Sequence, residues 1–181
     1  MKAIKLNHVA FVQKIEEHDD FKKYMLEYIK SQPAYRLTDN EDDITNTDWQ
    51  DSENINREYV SKLFTILHPH LEKISSNLYA KTYSVSNLWF QQYDNNSKHQ
   101  WHYHNKVNWS AIYYIELPSD RLKTQFFDPF EKNIVNITDL EEGDLIVFPA
   151  NILHRSPENN TGKTKTIISF NLDFDKLTKI Y

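Results

Sequence analysis

Three histidines are spaced as ligands of a single metal ion. His102 and His104 alternate across Tyr103, and His154 follows fifty residues later, directly after the apolar run Asp144–Pro149. Residues i and i+2 of a strand project from one face, so His102 and His104 can converge on one ion. A second strand can bring His154 to the same point. Such a set leaves coordination positions open for a cosubstrate and oxygen, the layout of a mononuclear non-haem iron site. Three histidines equally suit a catalytic zinc ion. The chain has no cysteine, so histidine, carboxylate or carbonyl groups must hold any metal. Asp94 and Asp128 are nearby carboxylates, but neither stands at a ligand's spacing. His68 and His70 repeat the alternation around Pro69, where proline spoils strand pairing, and they are set aside. His8, His18 and His99 have no partner pattern and read as surface or loop residues.

The elements that must position these residues are legible from periodicity. Residues 3–13 alternate loosely, as an opening strand would. From about Asp19 to Lys30, apolar residues recur at helical spacing, with Asp19 or Asp20 as N-cap and Pro33 beyond the end. Residues 38–54 are acidic and polar and read as a long surface loop, with a lid as the functional alternative. A second helix is predicted from about Ile55 to Leu67, broken or kinked by Pro69 before a further turn or two to Ser75. From Tyr79 the pattern changes to strands over 79–93, 99–104, 108–117, 123–127, 133–137, 144–149, 152–156 and 163–174. Helices followed by about eight short strands predict a mainly β jelly-roll barrel with N-terminal flanking helices. One domain over 1–181 is expected, with 1–78 forming a strand and helices and 79–181 the barrel that carries the site. The chain has only two glycines, Gly143 and Gly162, one at the turn into the strand before His154 and one at the turn after it. Both suit backbone of positive φ.

The motifs together resemble a known superfamily. They are His102 and His104, the run Ser110–Ile115, Gly143–Pro149, His154–Asn159 and Ile168–Asn171. In this order they are similar to the double-stranded β-helix oxygenases that use Fe(II) and 2-oxoglutarate, and to the compact members found in phages and bacteria. The superfamily usually has His-x-Asp or His-x-Glu where this chain has His102 and His104. The resemblance implies a dioxygenase that binds Fe(II), 2-oxoglutarate and oxygen, releases succinate and CO2, and hydroxylates a substrate that the sequence does not identify. It implies that His102, His104 and His154 serve as catalytic metal ligands. Lys165 stands where a basic residue, most often arginine, grips the far carboxylate of 2-oxoglutarate, with Lys163 as its substitute. The Tyr113 hydroxyl is expected to reach the same carboxylate. Three neutral histidines would leave Fe(II) a formal charge of +2, which a dianionic cosubstrate neutralises. Halogenation is disfavoured, because His104 fills the position a halide would need.

Composition sets bounds on the remaining classes. The chain of 181 residues carries a formal net charge of -5 and no long basic stripe, which disfavours nucleic-acid binding through phosphate neutralisation. No apolar run approaches membrane-spanning length and the N-terminus lacks a signal-peptide core, so a cytoplasmic protein is expected. Trp89, Trp101 and Trp109 with Tyr93, Tyr103 and Tyr114 concentrate aromatic surface around the histidine pair, as core or as a substrate mouth. Two rivals remain open: a three-histidine cupin-like enzyme that does not use 2-oxoglutarate, and a non-catalytic jelly-roll binding protein.

Overall fold

The computed structural model describes residues 8–39 and 41–175. Residues 3–7 of the expected opening strand lie outside them; within the rest the strand is β1, Phe11–Lys14. Helix α1, His18–Ser31, buries His18, Phe21, Met25 and Ile29 at spacings of three and four residues. Its N-cap lies two or three residues before the predicted Asp19 or Asp20. Glu17 occupies the N-cap without a side-chain hydrogen bond, while Asp19 and Asp20 lie in the first turn, where their charge suits the helix dipole. Gln32 is extended, as a residue before proline prefers, and ends the helix.

Helix α2 runs unbroken from Glu58 to Asn77 through Pro69, where the sequence suggests a break. Proline removes one backbone hydrogen bond. Here a continuous buried face of Tyr59, Val60, Leu63, Leu67, Leu71 and Ile74 holds the helix on both sides of it. His68 lies on this helix with its ring against the Tyr83 hydroxyl, 2.5 Å away.

The strands are β2 (Asn46–Thr47), β3 (Thr82–Tyr93), β4 (His99–His102), β5 (Trp109–Glu116), β6 (Gln125–Asp128), β7 (Asn133–Asn136), β8 (Asp144–Pro149), β9 (His154–Ser156) and β10 (Lys165–Asp175). They form an antiparallel six-stranded sheet, β1-β8-β5-β10-β3-β2, facing a four-stranded sheet, β4-β9-β6-β7. This is the predicted jelly roll with its helices on the outside. The central strands of the large sheet, β5, β8 and β10, are buried on both faces, so they read as near-continuous apolar runs. The outward set, including Phe90, Ala111, Tyr113, Val147 and Phe170, packs with the helices into one core. The inward set, Tyr93, Ile112, Tyr114, Ile146, Phe148 and Ile167, packs with Phe126 of the small sheet into a second.

The acidic segment is only partly a loop. Isolated bridges join Leu37 to Ile44 and Asp43 to Lys98, and β2 pairs with β3. Asp48 is half-buried and accepts from the Phe90 N–H, the Tyr59 hydroxyl and the Arg57 guanidinium, which pins the stretch before α2 to the large sheet. Gly143 and Gly162 both have positive φ, +85° and +71°. Gly143 also needs the missing side chain for space, because a Cβ there would sit 2.9 Å from Cγ of His18. Among the described residues no helix is long and apolar enough to cross a membrane.

Candidate metal centre

Strand pairing brings the three histidines together inside the barrel. His102 of β4 lies directly opposite His154 of β9. His104 follows β4 and is tied to the same place by its N–H donating to the Ala150 carbonyl, 2.8 Å away. Ligand atoms of His102, His104 and His154 all lie within 4.8 Å of one another, close enough for one ion. Asp94 and Asp128 are elsewhere: Asp94 accepts from Thr164, and Asp128 from the backbone N–H groups of Phe130 and Glu131.

The chemistry of the donors fits a divalent metal. Ring Nδ1 of His102 lies 2.7 Å from the Gln100 carbonyl, and Nδ1 of His154 lies 2.8 Å from the Ile152 carbonyl. A carbonyl only accepts, so Nδ1 carries the proton in both rings and Nε2 presents its lone pair. Burial, reinforced by the other histidines, pulls His154 down to about 3 and His104 to about 4; burial also lowers His102. All three are therefore neutral near pH 7, the form a metal requires.

Beyond the trio the barrel closes on a lysine. Lys165 has no exposed surface, and its Nζ donates to Ser156 Oγ at 2.8 Å. The rings of Tyr93 and Tyr114 lie 5.2 and 5.8 Å from that nitrogen. Burial pushes the lysine down to about 7. No carboxylate pairs with it among the described residues, and the Tyr93 hydroxyl is buried near Ser156 without closing a hydrogen bond. A buried ammonium with one hydroxyl partner is costly unless an anion completes it. Lys163 lies exposed on the preceding turn.

Tyr113 does not join this group. Strand alternation sends it to the outer face of β5, where its hydroxyl meets His18 Nδ1 at 3.0 Å under α1. Its neighbour Tyr114 faces inward instead, bonded to Thr124 Oγ1 at 2.7 Å. His18 is thus a buried core residue, whereas the sequence reading left it on the surface. His99 is also misread there: it lines the site, its ring stacked 3.8 Å from that of His102. The sequence reading does not single out Ser156, and it places Tyr93 only among the aromatics around the histidine pair, although alternation sets both beside Lys165. Ser156 stands two residues after His154, and Tyr93 shares the inward face of β3 with Trp89 and Gln91.

A mouth of about 1110 Å³ opens over the histidines, lined by Trp49, Trp89, Asn87, Gln91, Tyr103 and Asn171 among others. Trp89 lies parallel to His104, while Trp49 meets Trp89 edge-on at 4.4 Å. The other tryptophans are not at the mouth. Trp101 stacks with Arg155, and Trp109 packs between Phe11 and Phe174.

Fold and site together define a class. Residues 87–171 match the family described as "Putative 2OG-Fe(II) oxygenase", a span that contains all three histidines and Lys165. This segment is similar to the 2-oxoglutarate- and Fe(II)-dependent oxygenases. The chain is similar over 95% of its length to 88% of a 2OG-Fe(II) oxygenase family oxidoreductase from Burkholderia pseudomallei, at 10% identity and a TM-score of 0.71. It is similar over 91% to 76% of SnoN, a non-haem α-ketoglutarate-dependent epimerase of nogalamycin biosynthesis, at 14% identity and 0.70. A viral collagen prolyl hydroxylase from Paramecium bursaria Chlorella virus-1 aligns over 90% of this chain and 95% of its own, at 12% identity and 0.57. These likenesses are of fold. No curated protein matches the sequence.

Proposed function

We propose that the protein is an Fe(II)- and 2-oxoglutarate-dependent oxygenase that hydroxylates a substrate C–H bond. In this reading His102, His104 and His154 ligate iron and Lys165 anchors the cosubstrate. The observation that carries it is the pairing, in the same barrel, of a neutral three-histidine cluster with a buried ammonium that has no counter-ion among the described residues. A dicarboxylate answers both needs, one end at the metal and the other at Lys165. A three-histidine enzyme that did not use such an anion would leave Lys165 unexplained. The helices and barrel share a core, and we read the chain as one domain.

When bound, iron and 2-oxoglutarate would supply the chemistry that activates O2, one oxygen atom passing to succinate as CO2 leaves and the other to the substrate. The chain's own residues bind, orient and exclude water. The Gln100 and Ile152 carbonyls hold His102 and His154 in one tautomer. Lys165 pairs with the distal carboxylate, with the hydroxyls of Ser156 and Tyr93 beside it to accept or donate. Lysine serves as a point charge where arginine would offer a fork, so hydroxyl neighbours supply the directionality it lacks. Ile112, Phe148 and Ile167 line the inner end and keep it dry. The aromatic mouth admits the substrate, with Trp89 setting its approach to His104. Hydroxylation is the simplest outcome of such a site, and it is the reaction named for the viral prolyl hydroxylase.

The test is oxygen-dependent succinate formation from 2-oxoglutarate with added Fe(II), beside calorimetric binding of 2-oxoglutarate to the Mn(II)-loaded protein. Binding and succinate that vanish in His154→Ala are expected. Neither binding nor succinate in the wild type would refute the reading.

A further inference from the structure

We propose that His99 is a positioning residue for the metal centre, holding the His102 ring in the orientation that ligates. The inference rests on the reading of His102, His104 and His154 as metal ligands.

Its basis is an irregularity in β4. Residues i and i+3 of a regular strand face opposite sides, which would put His99 on the outer surface when His102 points inward. The pairing with β9 is not regular. His102 lies opposite His154 and His99 opposite Ser156, so three steps along β4 match two along β9. The extra residue is a bulge, the feature by which a strand re-aims a side chain beside a functional site. Here it turns His99 and His102 inward together, with ring centroids 3.8 Å apart and planes 17° from parallel.

The stack is held from behind. His99 Nε2 lies 3.6 Å from Asp42 Oδ2, and Asp42 Oδ1 accepts the Gln100 N–H at 2.6 Å. The next residue, Asp43, exchanges backbone hydrogen bonds with Lys98 at 2.9 and 2.8 Å. The acidic segment is thereby fastened to β4 on both sides of His99. The Nδ1 bond to Gln100 sets the tautomer of His102, but a single bond leaves the ring free to tilt about it. A flat partner against one face removes that freedom. The other ligands have aromatic neighbours of their own: Phe148 stands edge-on to His154 at 4.8 Å, and Trp89 lies parallel to His104. For His102 that neighbour is His99.

The experiment is a titration of the full chain with Co(II), read by the d–d absorption of the bound ion. His99→Ala, His99→Phe and His154→Ala are compared with the wild type. Loss of an outer partner of a ligand weakens metal binding about ten- to a hundred-fold. His99→Ala is expected to lose affinity in that range and to change the d–d spectrum. His99→Phe keeps a flat ring and should recover most of both. With saturating Mn(II), 2-oxoglutarate affinity should be the same in both His99 variants and the wild type. Wild-type Co(II) binding by His99→Ala, or equal impairment in His99→Phe, would overturn the proposal. So would loss of 2-oxoglutarate affinity at saturating metal, which would make His99 a cosubstrate contact. His154→Ala tells the two readings apart. If it too binds Co(II) normally, the ligand assignment itself falls; if only His154→Ala loses the metal, the brace falls alone.

Discussion

Replacing Lys165 by methionine should move stability and cosubstrate affinity in opposite directions. The side chain is fully buried, and burial brings its pKa from the ordinary 10.5 to about 7. At 1.36 kcal/mol per pH unit, holding the charge in the barrel costs about 4–5 kcal/mol when folded and unfolded states are both protonated, below about pH 7. Methionine removes that cost and keeps most of the stem's volume. It also strands the Ser156 hydroxyl that the ammonium now meets at 2.8 Å, a loss of about 1–3 kcal/mol. The net expectation at pH 6 is a variant more stable by about 1–4 kcal/mol. Between about pH 7 and 10.5 the unfolded chain keeps a proton that the folded chain has released. Wild-type stability therefore rises with pH in that window, and the variant's advantage shrinks. Affinity goes the other way. Losing a charge-assisted hydrogen bond of about 1.5–3 kcal/mol should weaken 2-oxoglutarate binding about ten- to a hundred-fold, with metal binding unchanged. Urea unfolding at pH 6 and 8, with calorimetry of 2-oxoglutarate into the Mn(II)-loaded protein, measures both. Lys163→Met, altered on the exposed turn, is the matched control. A Lys165→Met protein that is less stable yet binds 2-oxoglutarate normally would refute the reasoning, because the lysine would then be structural.

Leu63→Ala, which empties a fully buried position on α2, is expected to cost about 2–5 kcal/mol in urea unfolding and to leave metal affinity unchanged; wild-type unfolding would show that the helix face is not part of the core. Gly143→Ala and Gly162→Ala should differ although both residues have positive φ. A methyl group at Gly143 strikes the His18 ring while one at Gly162 meets nothing within 4 Å, so about 1–3 kcal/mol of backbone strain at both sites is increased by a clash only at the first. Equal thermal unfolding of the two variants would refute the clash.

Local pattern made most of the barrel readable. Alternating burial and turn residues marked the strands to within a few positions, and the i, i+2 rule put His102 and His104 on one face. The same rule distinguishes Tyr113 from Tyr114, but only once the inward face is known. A strand buried on both sides carries apolar residues at every position, so its sequence does not show which face is inside. That is why the sequence assigns Tyr113 to the site, although its side chain supports α1. Pro69 was misjudged for a related reason. Its local preference is to end a helix, and the tertiary burial of Leu67, Leu71 and Ile74 outweighs it. His99 lay beyond any periodic reading, since a bulge changes the parity of every position behind it.

The histidines are carried by strands of unequal security. His154 sits on β9, an interior strand with β4 on one side and β6 on the other. His102 closes β4, an edge strand with only two paired positions against β9, and His104 follows it beyond the ladder. Short edges are the first parts of a sheet to fray, because few backbone hydrogen bonds must break to release them. An ion joining His102 to His154 would therefore act as a clasp across a short seam at the edge of the small sheet. Amide exchange along β4 should slow when the metal is added, while β9 and β6 change little.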